Sequence, residues 1–201
     1  MPSFRGINTD KSKYYDGEKG VYDMLTNEEI LLTVLYLCGG SIRGLTRLHK
    51  IMFLLQKELN FGNFVFKPSN FGPWSANLNN LLRRLEEENL IRIVEVEEEF
   101  RPHRENPLKI ITTTARGFEK GKEIFRNLEK KDRISAILLR RKVKTLYNSP
   151  LTFLITYIYV RYPEFATMST IREKAPSALP ARSPFLRPLA YRSRASPHIF
   201  F

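Results

Sequence analysis

The chain has 201 residues, enough for one domain or for one domain with appendages. Its formal net charge of +12 favours an anionic partner such as a nucleic acid over acidic small molecules. The single cysteine, Cys38, excludes a disulfide framework, and the three histidines lie too far from one another and from other ligand residues for a sequence-local metal motif.

The first helix is predicted to begin at Thr26 and to end at Leu37, before Gly39-Gly40. Thr26 and Glu29 have the spacing of a capping box, in which each side chain bonds the backbone amide of the other residue. Residues 1–24 are polar and lack hydrophobic periodicity, so we expect a flexible N-terminal arm.

A second helix is predicted from Leu45 or Thr46 to Leu59. Apolar residues recur along it at intervals of three and four, which indicates one buried face. These residues are Leu48, Ile51, Met52, Leu55 and Leu59. The alternating aromatic residues Phe61, Phe64 and Phe66 then predict a short strand.

The third helix follows the turn Phe71–Ser75, with Ser75 as its N-cap, and is expected to reach about Asn89. Its leucines fall on one arc of the helix. They are Leu78, Leu81, Leu82 and Leu85. The opposite side carries asparagines and arginines, which are the side chains that most often pair with adenine and guanine.

The segments 91–96 and 108–112 are rich in β-branched residues and predict two strands, with residues 97–106 as the tip of their hairpin. A long helix from about Ala115 is expected to bend or restart near Lys131-Asp132 and to end near Leu146. Ser149-Pro150 predicts a cap and first-turn proline for another helix, which ends near Tyr159.

The last part of the chain changes in composition. A short helical stretch is predicted at residues 169–174. Beyond Ala175, prolines recur, and arginine is the only charged residue type. We expect residues 176–201 to form a disordered tail rich in proline and arginine.

The order of helix, turn, helix and two-stranded wing is how a small basic module presents one helix to the DNA major groove. The motifs 48–55, Phe71–Ser75 and 82–91 also resemble archaeal and bacterial winged-helix proteins related to PadR- and MarR-type regulators. The resemblance covers about residues 26–125. Asn89 stands where that pattern has glycine, and both residues accept a left-handed backbone.

The resemblance implies a mainly α-helical fold with a small β-hairpin. We expect a winged helix-turn-helix domain at residues 25–114, followed at 115–175 by a helical extension. The apolar seam of that extension, which includes Phe118, Phe125 and Ile134, predicts homodimerisation; the alternative is that this helix folds back on the later aromatic helix.

The predicted function is sequence-specific binding of double-stranded DNA by a transcriptional regulator. The third helix would contact bases, the start of the second helix would hold phosphates, and the hairpin tip would clamp the flanking DNA. The predicted DNA-binding residues are Arg43, Arg47, Lys50, Ser75, Asn79, Asn80, Arg83, Arg84, Arg101, His103 and Arg104.

Two other functions remain open. The Gly-Pro-aromatic-Ser turn also occurs in Panacea-type antitoxins, which bind proteins, so a protein-interaction module that uses Trp74 and Tyr157 is the alternative. Coating of nucleic acid without sequence preference is a weaker one. The chain shows no nucleophile–base grouping and no phosphate-binding loop motif, so we expect neither an enzyme nor a cofactor.

The uncharged run at residues 151–160 has about half of the roughly twenty residues that a bilayer span requires. We therefore expect no membrane segment and a cytoplasmic, nucleoid-associated protein.

Overall fold

The computed structural model describes residues 25–96 and 107–168. This part of the chain is mainly α-helical with a small three-stranded antiparallel sheet. The elements are α1 (Asn27–Leu37), β1 (Ser41–Arg43), α2 (Leu45–Leu59), α3 (Ala76–Glu87), β2 (Ile91–Val96), β3 (Leu108–Thr113), α4 (Ala115–Lys131), α5 (Arg133–Asn148) and α6 (Leu151–Arg161). The predicted arm, the hairpin tip, the stretch 169–174 and the tail lie outside the described residues.

Helix α1 begins and ends where the sequence predicts. Thr26 Oγ1 accepts from the Glu29 amide, and the Glu29 carboxylate accepts from the Thr26 amide, so the capping box is confirmed. Residues 30–35 of this helix are all buried, which places α1 at the centre of the core.

The sheet contains one strand more than the predicted hairpin. β1 pairs with β3, and β3 pairs with β2, so the strand order is β1-β3-β2. β1 has only three residues between glycines and therefore too little alternation to be recognised in the sequence. It joins the chain between α1 and α2 to the hairpin, with Ile42 opposite Ile111 in the core.

The strand predicted from the aromatic residues after α2 is wrong. Asn60 ends α2 in the left-handed conformation, and the Gln56 side chain then bonds both the amide and the carbonyl of Phe64. A side chain thus occupies the hydrogen-bonding groups that a neighbouring strand would use. Phe61 and Phe64 are nevertheless buried in the core.

Helix α3 ends at Glu87, two residues earlier than expected. Asn89 follows with φ of +55°, so the asparagine occupies the left-handed position that the resemblance assigns to glycine. The backbone amide of Leu90 returns to the Leu85 carbonyl, which closes the helix end before β2.

The long C-terminal helix is broken at Asp132, as predicted. The Asp132 carboxylate accepts from the amides of Ile134 and Ser135 and so caps α5. The predicted Ser149 cap of α6 is wrong, because its hydroxyl donates back to the Thr145 carbonyl. A short 3₁₀ turn, Pro163–Ala166, follows α6.

Helix α4 packs closely against its neighbours through two glycines, Gly121 against α1 and Gly117 against the link between α3 and β2. A Cβ atom on Gly117 would lie 1.9 Å from the Leu90 carbonyl oxygen, and one on Gly121 would lie 2.4 Å from the Leu32 carbonyl oxygen. The rings of Phe118 and Tyr36 meet edge to face beside them, with centroids 5.2 Å apart. The backbones approach to a distance that only glycine permits.

The predicted dimer seam is divided between the core and the surface. Phe125 is buried within the chain and packs beside Tyr36 of α1, whereas Ile134 of α5 is 73% exposed. Most of the α4 seam is therefore satisfied within the chain itself. None of the helices in the described ranges is long and apolar enough to span a bilayer.

Candidate nucleic-acid interface

Helix α3 separates its side chains cleanly. Its four leucines are buried, whereas Asn80 and Arg83 are exposed on the other side. Neither the Asn80 nor the Arg83 side chain makes a hydrogen bond or ion pair with another residue of the described ranges. The helix thus offers amide and guanidinium groups to a partner while its apolar side holds it on the core.

The turn before α3 has a defined backbone. Lys67 and Trp74 exchange two backbone hydrogen bonds of 2.8 and 2.9 Å, which brings the ends of the loop together. Gly72 at the tip has φ of +85°, and a side chain there would meet Tyr159 of α6 and Lys50 of α2. The loop is therefore fixed against both helices before α3 begins.

His49 of α2 connects this turn to α3. Its Nδ1 accepts from the Ser75 amide at 3.2 Å, and its Nε2 lies 3.0 Å from Asn79 Oδ1. The imidazole stacks with the Trp74 indole at a centroid distance of 6.1 Å. Burial lowers the pKa of His49 to about 4, so the ring is neutral at pH 7.

Lys50 does not lie where the predicted phosphate contact requires. It is 2% exposed, and its ammonium donates to the Pro73 carbonyl at 3.0 Å. Burial lowers its pKa to about 7. The lysine therefore supports the turn from the core side, and its ammonium does not reach the surface.

Arg47 is directed at another helix. Its guanidinium donates to the carbonyl oxygens of Tyr147 and Ser149, at 3.1 and 2.6 Å, at the C-terminal end of α5. Carbonyl groups at the C-terminal end of a helix lack a partner within it, so the arginine caps α5. The prediction that Arg47 contacts a phosphate is therefore wrong. Arg43, on β1, is exposed.

Of the two roles predicted for Ser75, the N-cap and a DNA contact, the structure contains the N-cap. Its hydroxyl accepts from the Leu78 amide, which confirms the N-cap. The residue is fully buried, so the predicted additional contact with a phosphate is not accessible in this structure.

The two arginines of α3 differ in their surroundings. Arg84 donates to the Glu28 carboxylate of α1 at 2.7 Å and lies 3.5 Å from Glu88. Lys120 of α4 binds the same Glu28 at 2.8 Å, and its hydrogen bond is the main reason that the pKa of Glu28 is lowered. Arg83, by contrast, has no such carboxylate among the described residues.

The acids that end α3 are partly used by the fold. The Glu86 carboxylate accepts from the Ile93 amide of β2 at 2.8 Å, and Glu88 lies beside Arg84. They stand at the C-terminal end of the helix, away from Asn80, so they do not cover the polar side of its first half. The predicted tip contacts Arg101, His103 and Arg104 lie outside the described residues.

The described residues contain no group of three or more histidines, cysteines or acids that could hold a metal ion. Comparison of the chain with protein-family models and with curated proteins finds no match. The resemblance to winged-helix regulators therefore depends on the quoted motifs.

The sequence analysis missed the buried role of Lys50. The signal was present in the sequence, because six of the eight residues 48–55 are apolar, and the structure buries this run without interruption. A helix that is covered on all sides buries its polar residues too.

Proposed function

We propose that the protein binds double-stranded DNA in a sequence-specific manner, as a winged-helix transcriptional regulator with α3 as its recognition helix. The observation that carries the proposal is the outward side of α3, where Asn80 and Arg83 are exposed and uncommitted while the leucines fix the helix to the core. Asparagine and arginine are the common bidentate partners of adenine and guanine.

The order of elements supports a winged helix. A short strand between α1 and α2 pairs with the hairpin that follows α3, and the sheet order is β1-β3-β2. The hairpin leaves the sheet directly beyond the end of α3, where a wing stands beside a recognition helix. The wing-tip residues Arg101, His103 and Arg104 extend the proposed contact to the DNA flank.

The proposed interface is smaller than the sequence predicts. Asn79, Asn80 and Arg83 face bases, and the exposed Arg43 contributes a phosphate contact. Arg84 contributes once DNA competes with Glu28 for its guanidinium, since exposed ion pairs are weak. Arg47, Lys50 and Ser75 act through the fold only.

A selection of bound fragments from random DNA, followed by gel-shift titration over a range of salt, tests the proposal. We expect one enriched sequence and an affinity that falls steeply with salt, because each neutralised phosphate releases counterions. Arg83→Ala should relax base preference at one position and weaken specific binding about tenfold or more. Arg84→Ala is the matched control and should weaken binding less.

If the wild type bound selected and random DNA with equal affinity, the proposed sequence specificity would be wrong. Coating of nucleic acid without sequence preference would then be the function that fits. Identical effects of Arg83→Ala and Arg84→Ala would contradict the division of roles between the two arginines. Both variants change exposed side chains, so thermal melts should show that they fold.

A protein-interaction module is the second candidate, and one observation favours it. Val65, Phe71 and Trp74 are large apolar residues that are 57, 50 and 39% exposed on the segment before α3. Exposed large apolar residues are enriched where proteins contact one another. Tyr157, predicted as part of this surface, is only 8% exposed and is excluded from it.

Phe71→Ser separates the two candidates. The variant should keep specific DNA affinity within about twofold if α3 is the functional surface, because Phe71 is not on the helix. Failure of the wild type to bind DNA better than a basic control protein of equal charge would favour the interaction module.

Homodimerisation stays part of the proposal, now through α5 alone. Ile134 and Ile137 remain exposed on that helix, and a dimer suits a two-fold DNA site. Sedimentation of the wild type and of Ile134→Ser at micromolar concentration tests it; a wild-type monomer would remove the dimer from the proposal.

A further inference from the structure

We infer that His49 fixes the Asn79 side chain so that only its amino group faces a partner, and that Asn79 therefore selects guanine and rejects adenine at one position of the DNA site. The inference rests on the proposed function, since it assigns a base to one residue of the recognition helix. It follows from a chain of hydrogen bonds whose direction is determined by the backbone.

The backbone amide of Ser75 sets the direction, because an amide N–H can only donate. Its contact with His49 Nδ1 at 3.2 Å makes Nδ1 an acceptor without a proton. A neutral imidazole then carries its proton on Nε2, and burial keeps this ring neutral at pH 7.

The Nε2 proton determines the orientation of Asn79. Nε2 lies 3.0 Å from Asn79 Oδ1, and a donor there needs an acceptor, so the carboxamide oxygen faces inward. The reverse orientation would place the amide NH₂ against the Nε2 proton. The stack of His49 with Trp74, together with its almost complete burial, prevents the ring from turning away.

The side-chain amide nitrogen of Asn79 can donate hydrogen bonds to a partner. Within the described ranges, the buried side-chain atoms without a hydrogen-bond partner are Thr33 Oγ1 and Glu58 Oε1, so Asn79 Nδ2 is not enclosed in the core. Asn79 is half-buried and precedes the exposed Asn80. Its N–H groups are thus available on the polar side of α3.

A side chain that presents a hydrogen-bond donor without an acceptor can distinguish guanine from adenine. Recognition of adenine by asparagine needs Oδ1 to accept from N6 while Nδ2 donates to N7, whereas Asn79 Oδ1 faces inward to the buried His49 ring. Guanine presents two acceptors, N7 and O6, on the same edge. Asn80 has no such constraint among the described residues and can pair with either base.

The test is a base-by-base substitution of the selected DNA site, measured with the wild type, Asn79→Asp and Asn80→Asp. The two variants add the same charge at neighbouring positions, and aspartate at 79 can still accept from His49 while losing its outward donor. We expect the wild type to lose about tenfold in affinity when one particular G·C pair becomes A·T. Asn79→Asp should lose the discrimination at that pair, and Asn80→Asp should keep it.

His49→Leu tests the positioning role directly. It removes the donor that holds Oδ1, so the preference of guanine over adenine at that one pair should fall to within about twofold. A role limited to folding would instead lower affinity for all sites equally. If this variant does not fold, the ring nitrogen shifts of His49 in the wild-type protein give the same information, since the inference requires a protonated Nε2 and a bare Nδ1.

Three results would overturn the inference while the proposed function stands. They are an adenine at the position that depends on Asn79, an equal loss for all sequences in Asn79→Asp, which would indicate a phosphate contact, and a His49 ring protonated on Nδ1. A wild-type protein that selects no sequence would overturn both proposals together.

Discussion

Helices α2 and α3 both carry the polar and basic residues expected of a DNA-binding surface, yet the structure uses them in opposite ways. Two basic residues of α2 contact carbonyl oxygens inside the protein, Arg47 at the end of α5 and Lys50 at Pro73. On α3, Asn80 and Arg83 are exposed and make no such contacts with the described residues. Residue type alone does not distinguish a helix that directs its polar groups into the protein from one that exposes them.

The difference arises from how each helix is covered. The leucines of α3 occupy one side and leave the other side to solvent, whereas α2 is enclosed by α5, α6, β1 and β3. A polar residue in an enclosed helix must find a partner, because an unsatisfied buried group costs free energy. On α2 these partners are the Pro73 carbonyl, in the turn before α3, and the carbonyls at the end of α5.

The largest effect is expected where α3 joins this supporting core. Gly117→Ala should lower the free energy of unfolding by about 3 kcal/mol, because its Cβ would lie 1.9 Å from the carbonyl oxygen of Leu90 just after α3. Urea denaturation measures this. Glu123→Ala, on the exposed side of α4, is the control and should change stability by less than about 0.5 kcal/mol. Equal melts of both variants would contradict the close packing.

The buried state of Lys50 predicts a pH dependence. Its pKa is about 7 in the folded protein and about 10.4 in an unfolded chain, so the unfolded state binds more protons between these values. The stability of the wild type relative to Lys50→Met should therefore rise from pH 7 to pH 9, by about 1 kcal/mol per pH unit. Chemical denaturation at both pH values measures the difference. A difference independent of pH would place Lys50 in solvent and end the contrast with α3.

The next largest change in stability is expected at Arg47. Arg47→Met should destabilise the fold by about 1–2 kcal/mol, because two carbonyl oxygens at the end of α5 lose a charged donor. Arg83→Met, the matched change on α3, should leave the melting temperature almost unchanged and reduce DNA affinity instead. The roles of the two helices would be assigned wrongly if Arg83→Met proved the more destabilising.

The smallest effect is expected at the ion pairs of Glu28. Glu28→Gln should change stability by less than about 1 kcal/mol, since the pairs are partly exposed. It should raise DNA affinity a few-fold in a gel shift, because Arg84 is released and one acid is lost. Glu123→Gln removes the same charge on α4 without releasing an arginine, and an equal gain in that control would refute the release of Arg84.

Much of the architecture follows from local patterns. The capping box at Thr26, the cap at Ser75, the leucine side of α3 and the break at Asp132 each depend on residues within one or two helical turns. Hydrogen-bonding groups and apolar side chains at these spacings interact in almost any context. The strands of the hairpin are predicted for the same reason.

Other features depend on contacts that no local pattern contains. Whether α2 has an open side is decided by α5 and α6, about a hundred residues later, and Arg47 meets carbonyl oxygens at 147 and 149. Arg84 meets a carboxylate 56 positions away in the sequence. The chain by itself determined which segments form helices and which side of α3 is apolar, because those depend on neighbours along one helix. Only the tertiary structure decided which polar groups reach the surface, because burial is set by elements that are distant in sequence and adjacent in space.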